Sequence, residues 1–208
     1  MNILIPHLLD VSLCLVALFI AVRSFDIYFR FHQYRLFILG LSMVLVSISA
    51  AADYIASYVT VIRLQTDWFL YIGQSVGFLF ILLSLLRSSD NYLRGLMRVF
   101  IVVFTFLLVL LFLSPLLSPM GMTTRTVFGF SRFVICMLIL VAYFSSYLSK
   151  PSRFSLLMSI SFFFFTANYL MSLQQYFVPI INQYIFRDQG DISGVIGLIV
   201  LVAAVSIE

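Results

Sequence analysis

The sequence predicts an all-α, polytopic membrane protein: a single domain over residues 1–208 built from seven transmembrane helices. Three observations predict it. Hydrophobic residues make up 63% of the chain and charged residues only 10%, far from the balance of a soluble domain, and mean hydropathy is +1.14. Seven apolar stretches fill nearly the whole chain, each close to the roughly 20 residues that cross a hydrocarbon core about 30 Å thick. Runs such as Val99–Leu113 are continuously apolar, whereas barrel strands would alternate in hydrophobicity over about ten residues.

The first span is expected over 5–22. Met1 to Leu9 has no Lys or Arg and Asp10 follows at once, so the segment lacks the basic start of a cleaved signal and is expected to remain as a helix. The others are expected over 36–59, 68–86, 99–117, 126–148, 154–177 and 192–207. The third, fourth and seventh carry no charge within these bounds. Pro6, Pro115, Pro119, Pro151 and Pro179 all fall at or near the expected ends, where a missing N–H does least harm. The last span is short, with about 16 uncharged residues before Glu208. It fits either a terminus at the inner interface or the membrane part of a longer chain with an output domain.

Loop cations give the orientation. Arg23, Arg30, Arg35, Arg87, Arg94, Arg98, Lys150 and Arg153 fall in the expected connections after spans one, three and five, against Arg63, Arg125 and Arg187 on the other side. The N-terminus is expected outside and the C-terminus inside, in a plasma or inner membrane. The longest polar loop, Arg87 to Arg98, then faces the cytoplasm, where its cations would meet anionic headgroups. The net charge of +4 is an anchoring asymmetry and no long basic patch points to nucleic acid.

The polar residues inside the spans are not scattered. Counted at about 1.5 Å per residue from the outer ends, Asp10, Asp53, Asp67, Tyr71, Gln74 and Arg132 fall in one outer layer, and Asn168, Ser172 and Gln175 approach it. Asp67, Tyr71 and Gln74 are spaced i, i+4, i+7, as are Asn168, Ser172 and Gln175, so each set shares a helix face. An arginine inside a bilayer costs about 2.5–3.5 kcal/mol at the helix centre on insertion scales, so Arg132 should turn inward and find a carboxylate. Asp53 is the first expected partner and Asp10 the second. The eight candidate ligand-binding residues are therefore Asp10, Asp53, Asp67, Tyr71, Gln74, Arg132, Asn168 and Gln175. A plug at the level of Leu45, Leu79 and Leu138 is expected to close the pocket below. An ion pair that merely fixes helix packing would use the same residues.

No catalytic, metal or nucleotide signature is present, so neither an enzyme nor a cofactor is expected. His7 and His32 lie at opposite membrane faces, which excludes a shared haem or zinc site. Cys14 and Cys136 both fall in spans and read as small buried apolar residues. The pairs Gly73/Gly77 and Gly190/Gly194, extended by Gly197, together with Ser47–Ala52, are small surfaces for close helix packing. They also allow a homodimer.

Asp67-Trp68, with Arg63 just before it, resembles the counterion segment of the microbial rhodopsins, which also have seven helices and an outside N-terminus. Their retinal-bearing lysine in helix seven has no counterpart, because the one lysine is Lys150, so no covalent retinal is expected. Helix two runs from Arg35 to Ala52-Asp53-Tyr54 and helix six from Arg153 to Ala167-Asn168-Tyr169. This is similar to the paired three-helix units joined by a fourth helix in the SWEET sugar transporters, whose hinge prolines the chain lacks.

The leading functional expectation is a sensor or receptor-like module that takes a small ligand or ion at its outer face and passes a helix shift inward. A small-solute or proton-coupled transporter and a non-catalytic subunit of a larger membrane complex are the alternatives.

Overall fold

A computed structural model describes the backbone of residues 4–58, 66–87, 89–174 and 180–207, and side chains within them apart from 4–10, 53, 56–58 and 180–188. Its elements are α1 (Leu4–Phe31), α2 (Tyr34–Tyr58), α3 (Asp67–Leu86), α4 (Asp90–Phe112), a 3-10 turn (Ser114–Leu116), α5 (Met122–Ser149), α6 (Arg153–Gln174) and α7 (Ile180–Ile207). All seven α-helices are long and apolar enough to cross a membrane, as expected of a multi-pass membrane protein.

Most of the helices outrun the hydropathy pattern at one end, although α4 stops at Phe112, short of the expected 117. α1 continues to Phe31, α4 starts at Asp90 instead of Val99, and α7 starts at Ile180 instead of Ile192. Hydropathy marks only the hydrocarbon layer, whereas a helix meets its own backbone hydrogen bonds in the headgroup region as well. The expected polar loop Arg87–Arg98 is therefore mostly the first turns of α4, and the connection itself is 87–89. Arg23 and Arg30 are likewise on α1, where both reach Asp26 at 3.1 Å. The α1–α2 turn is His32 and Gln33 alone. His32 takes a left-handed φ of 55°, and its N–H donates to the Tyr28 carbonyl at 2.7 Å, closing α1 as glycine commonly does.

Packing order makes a ring. α1 packs on α2, α2 on α3, α3 on α5, α5 on α6, α6 on α7, and α7 back on α1. α4 stays outside the ring, against α2 and α3. Phe100 stacks on Phe80 at 4.1 Å and anchors it, while Val99, Val102, Phe106, Val109 and Phe112 remain exposed as a lipid-facing surface. The arcs α1–α2–α3 and α5–α6–α7 thus close the ring between them, with α4 set outside against the first arc, and both seams that join the arcs involve odd-numbered helices.

Without a hydrophobic force between helices in lipid, close backbone approach and hydroxyl bonds hold such a bundle. In one arc, a Cβ on Gly77 would touch Ser42 Cβ at 3.4 Å, and the Ser42 hydroxyl lies 2.9 Å from both the Gly77 and Ile38 carbonyls. In the other, the Ser161 hydroxyl donates to the Gly197 carbonyl at 2.7 Å, and Ser193 donates to Phe164 at 2.9 Å. Ser47 ties α2 to α1 through the Cys14 carbonyl at 3.0 Å. The glycine pairs anticipated from sequence thus serve seams inside the bundle.

One end of the bundle is basic. There Arg35 donates through Nε to the Ser84 carbonyl in the last turn of α3, where cations are favoured. Arg94 donates to the Tyr34 hydroxyl at 3.1 Å, with its guanidinium 5.6 Å above that ring.

Candidate functional site

The opposite, Asp67 end holds the polar side chains. Two rungs cross the α3–α5 seam. Asp67 pairs with Arg125, and Gln74 Oε1 accepts from Arg132 Nη1 at 2.6 Å. Both rungs step by seven residues on both helices, so α3 and α5 run parallel with their facing stripes in register. The upper rung is half-open, with 36% of the Arg125 and 29% of the Asp67 side chain exposed. Beside it the Trp68 indole donates to the Ser118 carbonyl at 2.8 Å, fixing the α4–α5 connection to the start of α3.

The lower rung is buried. Arg132 is 5% exposed and its guanidinium sits 4.3 Å from the Tyr71 ring centre and 4.9 Å from that of Tyr169. The Tyr169 hydroxyl donates to the same Gln74 oxygen at 3.2 Å. A desolvated cation over an aromatic ring gains about 2 kcal/mol and a charged hydrogen bond about 1.5–3 kcal/mol, which together offset the insertion cost of about 2.5–3.5 kcal/mol. These contacts hold the cation without neutralising it. Arg132 Nε is buried with no hydrogen-bond partner, and no carboxylate among the described residues reaches the group. Arg125 Nε is also buried and unpartnered.

Of the eight candidates, the structure gathers Tyr71, Gln74 and Arg132 into one cluster and places Asp67 above them at the rim. Asn168 sits elsewhere. It lies against α7, where a Cβ on Gly194 would meet its Nδ2 at 2.7 Å and one on Gly190 its Oδ1 at 3.1 Å, and Ser172 donates to Oδ1 at 3.4 Å. The polar stripe on α6 thus belongs to the α6–α7 seam. The side chains of Asp10 and Asp53, and Gln175 entirely, lie outside the described residues. The expected Asp53–Arg132 pair therefore falls outside the described residues; among those described, Gln74 and two tyrosines contact Arg132.

Two residues of this site are absent from the sequence-derived set. Tyr169 follows Asn168 by one position, about 100° around the helix, and so faces α3 and α5. Arg125 lies ahead of the apolar run of α5, where hydropathy predicts a loop, but the helix already starts at Met122. The signal for Arg125 lies in the matching intervals Asp67-to-Gln74 and Arg125-to-Arg132; Tyr169 has no comparable signal.

The expected leucine plug does not form. Leu45 is buried, but Leu79 is 40% and Leu138 50% exposed, because both lie on outer faces of their helices. Aromatic rings close the seam below Arg132 instead. Phe78 lies 5.8 Å from Tyr169, 6.0 Å from Phe165 and 6.2 Å from Phe162, and Tyr143 stacks on Phe162 at 6.0 Å. Cys136 and Ile139 complete the buried face of α5.

A depression of about 410 Å³ lies at the basic end, between the last turns of α5 and the start of α6, lined by Ser145, Ser146, Ser149, Lys150, Ser152 and Ser155. Ser146 and Ser149 spend their protons on the carbonyls of Ala142 and Ser145, and Ser155 binds back to Ser152. Its hydroxyls do not converge on a ligand position. The Arg132 cluster is the stronger candidate.

No family model, no curated protein and no solved structure matches this chain, so its site is read from its own chemistry.

Proposed function

We propose that the chain is a sensor or receptor-like module of a plasma or inner membrane, with its N-terminus and the Asp67 end outside and the basic end in the cytoplasm. The observation that carries this reading is the buried guanidinium of Arg132, oriented by Gln74 and two tyrosine rings yet left with an unanswered Nε. Ionisable groups placed so inside a membrane usually mark functional sites. The aromatic block under the cluster supports sensing over transport, since a carrier needs polar partners along the path below. The Asp67–Arg125 rung above supplies an element whose breaking would change the α3–α5 seam, and with it the spacing of their cytoplasmic ends.

Cysteine labelling should place Arg125 outside and Arg94 and Lys150 inside; access to position 125 only from the cytoplasm would reverse the orientation. Spin labels at Leu86 and Leu148 then report the inner ends of α3 and α5 during titration with chloride, acetate and phosphate. The reading predicts a distance change with one of these anions and no flux of it into proteoliposomes. Flux would establish the transporter alternative, and unchanged distances with no flux would favour a subunit of a larger complex.

A further inference from the structure

We infer that Arg132 is the seat of a small organic carboxylate, which docks on the Nε side of its guanidinium from the Asp67 end. This rests on the sensing site proposed above and names its ligand class. A guanidinium offers a carboxylate two parallel N–H bonds along its Nε–Nη2 edge. In Arg132 one Nη1 proton is spent on Gln74, and the faces of the group are turned to Tyr71 and Tyr169. The Nε edge is left without an acceptor among the described residues, although Nε is buried. A buried donor in this state forfeits about 1–3 kcal/mol, more when charged.

The geometry also selects among anions. The clamp of two rings and one amide fixes the guanidinium plane before anything binds, so little ordering remains to oppose docking. A planar, bidentate, singly charged group matches one fork and one positive charge. A phosphate dianion would call for a second free cation, and the nearest along α5, Arg125, is already paired with Asp67. Chloride would accept from the fork without its planar match. One turn above Arg132 on the same helix face, Leu173 covers Gly129 so closely that a Cβ there would sit 3.1 Å from Leu173 Cδ2. That gives a short hydrocarbon substituent an apolar neighbour. Arg125, two turns above with its own unanswered Nε, is the first cation an entering carboxylate meets, and the pair it forms with Asp67 is the contact that such an anion competes with.

The test uses the full chain in lipid nanodiscs, with thermal unfolding followed in sodium acetate, propionate, phosphate and chloride at equal ionic strength and pH. Acetate and propionate should raise the unfolding temperature saturably, by about 5–10 °C at roughly 100 times the dissociation constant, with chloride and phosphate giving no saturable rise. Arg132→Lys keeps the charge and the buried stem but loses the fork, so it should unfold cooperatively and lose the carboxylate-specific rise; Arg132→Gln should lose it as well. No carboxylate-specific rise in the wild type, or an equal rise in both variants, overturns the proposal. The spin-label distances separate this failure from that of the sensing reading. A saturable acetate rise with motionless inner ends removes sensing and keeps the carboxylate site, whereas inner ends that move with phosphate alone remove the carboxylate and keep sensing.

Discussion

The α6–α7 and α3–α5 seams solve the same problem by opposite means. Along α6–α7 the backbones approach until a Cβ would be crowded: one on Gly197 would lie 3.2 Å from both the Ser161 carbonyl and Phe164 Cβ, and serine hydroxyls bond directly to carbonyls across the gap. Along α3–α5 the helices are spaced by long side chains, two arginines reaching an aspartate and a glutamine. The first seam has no slack, because backbone atoms are its contact surface. The second can change, because its rungs are contacts between side chains and not between backbones. Scaffold and responsive element therefore occupy different joints of one ring.

The largest effect should come from filling the tight seam. Gly197→Leu drives a side chain into backbone and should cost about 3 kcal/mol, read as a fall in unfolding temperature of roughly 6–12 °C in detergent. A neutral result would mean that the seam yields and the contrast fails. The lower rung comes next. A cycle of Arg132→Ala and Gln74→Ala should reveal a coupling of about 1.5–3 kcal/mol; strict additivity would mean that Gln74 does not hold the guanidinium. The same cycle run with Asp53→Ala tests the carboxylate partner expected from sequence, and a strong coupling there would empty the anion seat. The upper rung is the weakest. Asp67→Asn should cost no more than about 1 kcal/mol, since its pair is a third exposed, and the difference from wild type should shrink with added salt.

The span count was legible because each hydrocarbon crossing leaves a run of apolar residues, such as 99–117, that nothing else in the chain imitates. Helix ends were not, since Asp90, Arg94 and Arg187 are polar residues that hydropathy assigns to loops while the backbone continues regardless. Tyr71, Gln74 and Arg132 were recognisable as a polar layer from their depth. Their companions were not, because depth carries no azimuth: Asn168 and Tyr169 share a level but face different neighbours. Ring order decides that, and the fact that α5 follows α3 around the ring while α4 stands aside appears in no local pattern. Leu79 and Leu138 failed as a plug for the same reason, being at the right height on the wrong side.

The outlying position of α4 has an electrostatic consequence. In a ring of sequential antiparallel helices, neighbouring dipoles oppose and largely cancel. By carrying the chain back outside the ring, α4 makes α3 and α5 parallel neighbours, so their amino-terminal ends stand side by side with partial positive charges adding. Asp67, in the first turn of α3, sits where an anion is favoured by both helices. Arg125, in the first turn of α5, is placed against that field, and its pairing with Asp67 offsets the cost. The mouth of the seam thus carries a fixed positive potential from its backbone, which would draw negative solutes toward it before any side chain is touched.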